Sequence, residues 1–117
     1  MNGYVVTVIF EANSDKINEM QAVIADVYLP SIRESGLREY RWYRSHQKPD
    51  DLALHLGEGR RQPANPNEFL LFMTWDTEDA FKAHVNAPHI QKAEADFASQ
   101  GILIKEAPES YWEYIAP

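Results

Sequence analysis

"FLLFMTWDTEDAFKAHVNAPHI", residues 69–90, changes its periodicity halfway along. The opening FLLFMTW is apolar at odd and even positions alike, which predicts a strand covered on both faces. After Trp75 the spacing becomes helical. Ala80, Phe81, His84 and Val85 share one face, with Lys82, Ala83 and Asn86 on or near the other. Asp76 is read as the N-cap, with Asp79 three residues later. Asn86 and Ala87 end this helix. Pro88 suits the first turn of another, whose apolar stripe is Ile90, Ala93 and Phe97. The stretch therefore reads strand, helix, break, helix.

Upstream, YVVTVIFEA is rich in β-branched residues and ends in turn chemistry, so it reads as a strand. Tyr4, Val6, Val8 and Phe10 fall on one face, and Val5, Thr7 and Ile9 on the other. A helix follows, with Ser14 as N-cap and an apolar row of Ile17, Met20, Ile24, Val27 and Tyr28. Pro30 should kink or restart it, and Gly36 should stop it. LREYRWYRS then alternates as a second strand, with Tyr40 and Trp42 set against Leu37 and Tyr43. Its arginines among aromatics raise RNA stacking as a reading. Arg stems lying over the rings of a half-buried strand are the simpler one, and the acidic charge of the chain favours it.

Residues 45–68 break the pattern with three prolines, two glycines and two histidines, His46 and His55. So long a loop often has a function, and a short strand or turn is expected around LALHL. GILIKEAPESYWEYI reads as a closing strand, with Pro108 at a bend or an edge. The order β, α, β, loop, β, α, α, β is that of a ferredoxin-like α+β sandwich with an antiparallel sheet. Helices cover one face of such a sheet. Here the strands are apolar on both, so a second copy of the chain is expected on the other face, giving a homodimer.

Composition sets the outer limits. The chain has 117 residues, 44% hydrophobic and 25% charged, which predicts one domain spanning 1–117. There is no cysteine, so disulfides, thiolate nucleophiles and cysteine metal sites are excluded. A net charge of −7 argues against nucleic acid and anionic membranes as partners. No stretch approaches a membrane span, and the N-terminus lacks the features of a signal peptide. A cytoplasmic location is expected.

His84 and His89 raise the question of a reactive or metal-binding pair. Metal ligands on one helix want a spacing of three or four residues, and Pro88 interrupts the helix between these two. No metal is therefore expected. His84 belongs to the buried stripe, as a satisfied core histidine or as a pocket base or donor. His89 lies beside the stripe of the second helix.

Residues 69–90 also resemble the signature of the antibiotic biosynthesis monooxygenase domains, which include small quinol monooxygenases. The matching positions are Trp75, Asp76, Thr77, the pair Ala83 and His84, then Pro88 and His89. ESGLREY resembles the family's earlier turn through Glu34, Ser35, Gly36 and Tyr40. The resemblance implies a dimeric α/β barrel of ferredoxin-like subunits. Members often oxygenate phenols or quinols without a cofactor. Departures are the long loop at residues 45–68 and the aromatic SYWEYIAP end. The heme-degrading branch is not matched, because Thr7, His84 and Glu94 stand where its Asn, Trp and His would be.

The expectation is a cofactor-independent monooxygenase acting with O₂ on a small phenolic, quinol or polyketide-type aromatic. His84 is the candidate base, since a neutral histidine suits proton abstraction near pH 7. Trp42, Phe72, Trp75, Tyr4 and His89 are candidates for the substrate walls and donors, although each aromatic would serve equally as core. A non-oxidative enzyme on the same scaffold, such as a cyclase, decarboxylase or dehalogenase, is one alternative. A non-catalytic, ligand-binding dimer is the other.

Overall fold

The computed structural model describes residues 3–46 and 63–115, so the expectation about LALHL and His55 falls outside the described residues. Among these lie the strands β1 (Tyr4–Glu11), β2 (Leu37–Arg44), β3 (Glu68–Trp75) and β4 (Glu109–Trp112). The helices are α1 (Ile17–Ile32), α2 (Glu78–Val85) and α3 (Pro88–Gln100). The sheet is antiparallel in the order β2-β3-β1-β4, the arrangement of a ferredoxin-like sandwich. β1 and β3 pair without interruption from Tyr4↔Trp75 to Glu11↔Glu68.

The period-2 reading of the strands holds. Val6, Val8 and Phe10 of β1, Leu71, Met73 and Trp75 of β3, and Tyr40 of β2 are buried. They form one core with Met20, Val23 and Val27 of α1, Phe81 of α2 and Ala93 of α3. Burying each large apolar side chain is worth roughly 1.5–3 kcal/mol, so this face carries most of the stability. The opposite face carries Thr7, Ile9, Leu70 and Phe72, which are only half-buried, and the exposed Tyr43 and Trp112. The Trp112 indole N–H donates to the Thr7 hydroxyl at 2.7 Å and ties the short edge strand across this face.

Four local expectations change. α1 begins at Ile17, after a turn in which the Lys16 N–H donates to the Asn13 carbonyl, so Ser14 is not its cap. The helix also runs on through Pro30 to Ile32. Proline removes one N–H, but Asp26 and Pro30 are exposed, so water can serve the carbonyl left without a donor. Thr77, not Asp76, caps α2, with its hydroxyl accepting from the Ala80 N–H at 3.1 Å. Asp76 is instead held 2.6 Å from the Arg38 Nε. The closing strand shrinks to Glu109–Trp112, because Pro108 has no N–H to add to the ladder. Leu103 makes only an isolated bridge to Ala12.

Candidate active site

Three segments meet beneath the sheet, two of them consecutive in the chain and the third fifty residues earlier. Thr77 starts α2 so that its apolar row, and His84 with it, turns inward; His84 is 4% exposed. Pro88 at the first turn of α3 folds the chain back and brings His89 to the same place. Glu34 arrives from the turn after α1, where Gly36 holds φ at +83°. A Cβ on Gly36 would stand 2.8 Å from the Cβ of Ala80, so only glycine lets this turn press against α2.

The Glu34 carboxylate bridges both histidines. Its Oε2 accepts from the His84 Nδ1 at 2.7 Å, and its Oε1 lies 2.8 Å from the His89 Nε2. The second approach is close but off the hydrogen-bond direction, so Oε1 is buried without a proper donor. The buried Ser31 hydroxyl also sits 3.1 Å from the His89 Nε2. The sequence reading set His84 and His89 apart, on two helices separated by Pro88. The fold places their rings 6.0 Å apart, because the break at Pro88 turns the second helix back on the first.

Burial, then the neighbouring His89, pushes His84 down from 6.5 to about 4, so it is neutral at pH 7. With Nδ1–H donated to Glu34, the lone pair is on Nε2. Burial raises Glu34 above its ordinary value, and His89 works against that rise. The ligating atoms of Glu34, His84 and His89 all lie within 4.8 Å of one another, so this set has the chemistry to hold a divalent cation. The ligand atoms that touch at 2.7–2.8 Å would have to open slightly, since donors around a metal stand roughly 3 Å apart when their bonds are about 2.1 Å.

His84 also forms part of the wall of a cavity of about 640 Å³ between the sheet and the helices. Val8, Phe10, Leu71 and Met73 floor it, and Val23, Phe81 and Phe97 close its sides. Tyr40 and Trp42 line it too. Its mouth carries Glu94, Glu106 and Glu109 against a single lysine, Lys105. Burial, then the charge of Glu109, raises Glu94. The space is large enough for a bicyclic or tricyclic aromatic, and its mouth is acidic.

Of the residues singled out from sequence, His84 and Trp42 line this cavity. Trp75 is fully buried behind His84, with ring centroids 4.9 Å apart. Tyr4 packs on Phe81 and Tyr111 at 5.7 and 5.9 Å. His89 stands on the far side of Glu34. Phe72, opposite Thr7 in the register, faces away from the cavity on the other side of the sheet. Sequence reasoning missed Glu34 and Tyr40 as site residues. Tyr40 was readable as inward-facing, and Glu34 only as part of a turn.

The model of the antibiotic biosynthesis monooxygenase family matches residues 3–96, and the chain belongs to that family. No curated protein matches the sequence. Solved structures match the fold over nearly the whole chain. Rv0793 from Mycobacterium tuberculosis is 18% identical with a TM-score of 0.73, covering 97% of this chain and 96% of its own. A putative antibiotic biosynthesis monooxygenase from Nitrosomonas europaea has the same identity and TM-score, with 97% and 99% covered. Another, from Deinococcus radiodurans, is 12% identical with a TM-score of 0.71, with 97% and 94% covered. No described helix is long and apolar enough to cross a membrane.

Proposed function

We propose that the protein is a cofactor-independent monooxygenase that oxidises a small phenolic, quinol or polyketide-type aromatic with O₂. The observation that carries this reading is the state of His84. It lines an apolar cavity, it is neutral, and its Nδ1 is committed to Glu34. Its Nε2 is left to accept a proton from a substrate in the cavity. An anthrone shows the balance. His84 takes a proton from the ring CH₂, and the resulting anion passes an electron to O₂. The two radicals combine at carbon, and loss of water leaves a carbonyl there. One oxygen atom stays with the substrate and the other leaves as water. The apolar walls exclude solvent from the anion.

The half-buried face of Ile9, Leu70 and Phe72 supports a homodimer, with a second copy covering it. The test of the function is O₂ uptake with anthrone and with hydroquinone. Uptake that His84→Ala lowers at least about 100-fold supports the assignment of the base. Uptake that the variant leaves untouched removes it, and turnover of a substrate under strictly anaerobic conditions replaces the oxygenase reading with a non-oxidative one.

A further inference from the structure

Glu34, His84 and His89 offer one carboxylate and two imidazole nitrogens, with the three ligating atoms within 4.8 Å of one another. The two contacts inside this set differ in kind. His84 Nδ1 donates to Glu34 Oε2 across 2.7 Å. His89 Nε2 and Glu34 Oε1 come as close, at 2.8 Å, yet make no hydrogen bond, and Oε1 is buried without a donor. Buried polar atoms are normally satisfied, so a carboxylate oxygen held beside a ring nitrogen in this way marks a place where an ion would serve both. The set is also within reach of solvent. The side chains of His89 and Glu34 are 20% and 17% exposed, and neither lines the cavity that His84 lines. An ion can therefore arrive without passing through the cavity.

We propose that these three side chains bind one late first-row divalent cation, of which Zn²⁺ is the type, and that the ion switches off the proposed base. Two imidazoles and a carboxylate are a three-ligand set that Zn²⁺ accepts, with water in its fourth position. Mg²⁺ and Ca²⁺ prefer oxygen ligands, so the two nitrogens discriminate against them. The switch follows from the tautomer. A neutral imidazole has one N–H. Without an ion that proton is on the His84 Nδ1, donated to Glu34. An ion at Nδ1 lies along the direction the N–H had, so the ring need not turn. The ring's one proton must then sit on Nε2, where the lone pair was. One proton leaves Nδ1 and one arrives at Nε2, with none gained or lost. The ion thus stays outside the cavity and still removes the group that would accept the substrate proton. It is an antagonist and not a cofactor. The binding stands on the geometry alone, and the switch rests on the reading of His84 as the base.

The experiment is a calorimetric titration of the full chain with ZnCl₂ and with MgCl₂, joined to ¹⁵N NMR of the His84 ring and to O₂ uptake. Zn²⁺ should bind one ion per chain and raise the melting temperature, and Mg²⁺ at the same concentration should do neither. His89→Ala should weaken Zn²⁺ binding at least about tenfold. Glu34→Gln should do the same, and it is the deciding variant if His89→Ala does not fold. As Zn²⁺ is added, the His84 proton should pass from Nδ1 to Nε2 in the spectra. O₂ uptake should fall about 100-fold, in kcat and not in KM. Absence of Zn²⁺ binding overturns the proposal. So does binding as tight in the variants as in wild type, because surface groups then hold the ion, and so does equal binding of Mg²⁺. A His84 ring that keeps its proton on Nδ1, or uptake that Zn²⁺ leaves unchanged or raises, overturns the switch. If wild type takes up no O₂ with either substrate, Zn²⁺ binding that His89→Ala weakens, with the proton moved on His84, leaves this proposal standing and removes the oxygenase reading.

Discussion

The Nδ1 of His84 and the Oε2 of Glu34 lie 2.7 Å apart, although fifty residues separate them in the chain. This contact fixes both the ring and the tautomer of the proposed base. Glu34→Gln keeps the size of the side chain and removes the charge. The Gln amide can also turn its NH₂ towards Nδ1 and so favour the wrong tautomer. O₂ uptake should fall about 10- to 100-fold while the melting temperature shifts by only a few degrees. Unchanged turnover in a folded Glu34→Gln protein would mean that Glu34 holds the two helices together without orienting a base.

His84 also makes stability depend on pH. Its folded-state value of about 4 lies below the 6.5 of the unfolded chain, so the unfolded chain binds the proton more readily. Stability is therefore full above 6.5 and declines as pH falls towards 4. The loss approaches about 3 kcal/mol, at roughly 1.4 kcal/mol per unit. Glu34, raised by burial, acts in the opposite sense and makes the net slope shallower. Urea denaturation at neutral and at mildly acidic pH measures the slope. In His84→Asn it should flatten or reverse.

Glu34, His84 and His89 form a compact set of donors, so metal removal is informative. The proposed base needs only the hydrogen bond from His84 to Glu34, and no ion. Exhaustive dialysis against EDTA should leave both the melting temperature and O₂ uptake unchanged. A loss of either that Zn²⁺ or Fe²⁺ restores would make the set a metal centre, with its ligand atoms spread by the ion.

The frame of this site was legible in the sequence, and its junctions were not. The two-residue repeat sorted β1 into two faces without saying which was inward, since both are apolar, and period-3.6 spacing in α2 sent His84 inward, because burial imposes that period on an amphipathic helix. The cap moved by one residue, from Asp76 to Thr77, whose extended backbone and hydroxyl start the helix, while Asp76 pairs with Arg38, a partner far along the chain. The Glu34 contact leaves no mark in local spacing. Nor do the orphan donors of Tyr40 and Trp42, since the pattern shows which way a side chain points but not whether its polar end finds a partner.

Gly36 is the tightest point in the support of Glu34. Its φ of +83° is uncomfortable for any side chain, and a Cβ would press on Ala80. Gly36→Ala should destabilise the protein by roughly 1–3 kcal/mol. Because the strain falls between the turn and α2, it should also lower O₂ uptake more than a distant change of equal cost does. Gly101→Ala is the control. That residue also has a positive φ, but no atom lies within 4 Å of where its Cβ would be. A variant Gly36→Ala as stable as wild type would show that the turn can shift without disturbing α2.

Phe72 provides the test of the partner copy. It faces away from the cavity, beside Thr7 and Arg41 in the register, at the centre of the half-buried sheet face. A stable dimer needs about 800 Å² of buried surface on each copy, which this four-stranded face has the extent to supply. Wild type should sediment at twice the chain mass. Phe72→Glu puts a charge where two copies would meet and should yield monomers. The cavity of each monomer should survive, since Phe72 does not line it. Anthrone binding in Phe72→Glu then separates two roles for the dimer. Retained binding means that the partner only covers apolar surface. Lost binding in a folded monomer means that the partner completes the site. A Phe72→Glu protein still sedimenting at twice the chain mass would place the dimer contact elsewhere.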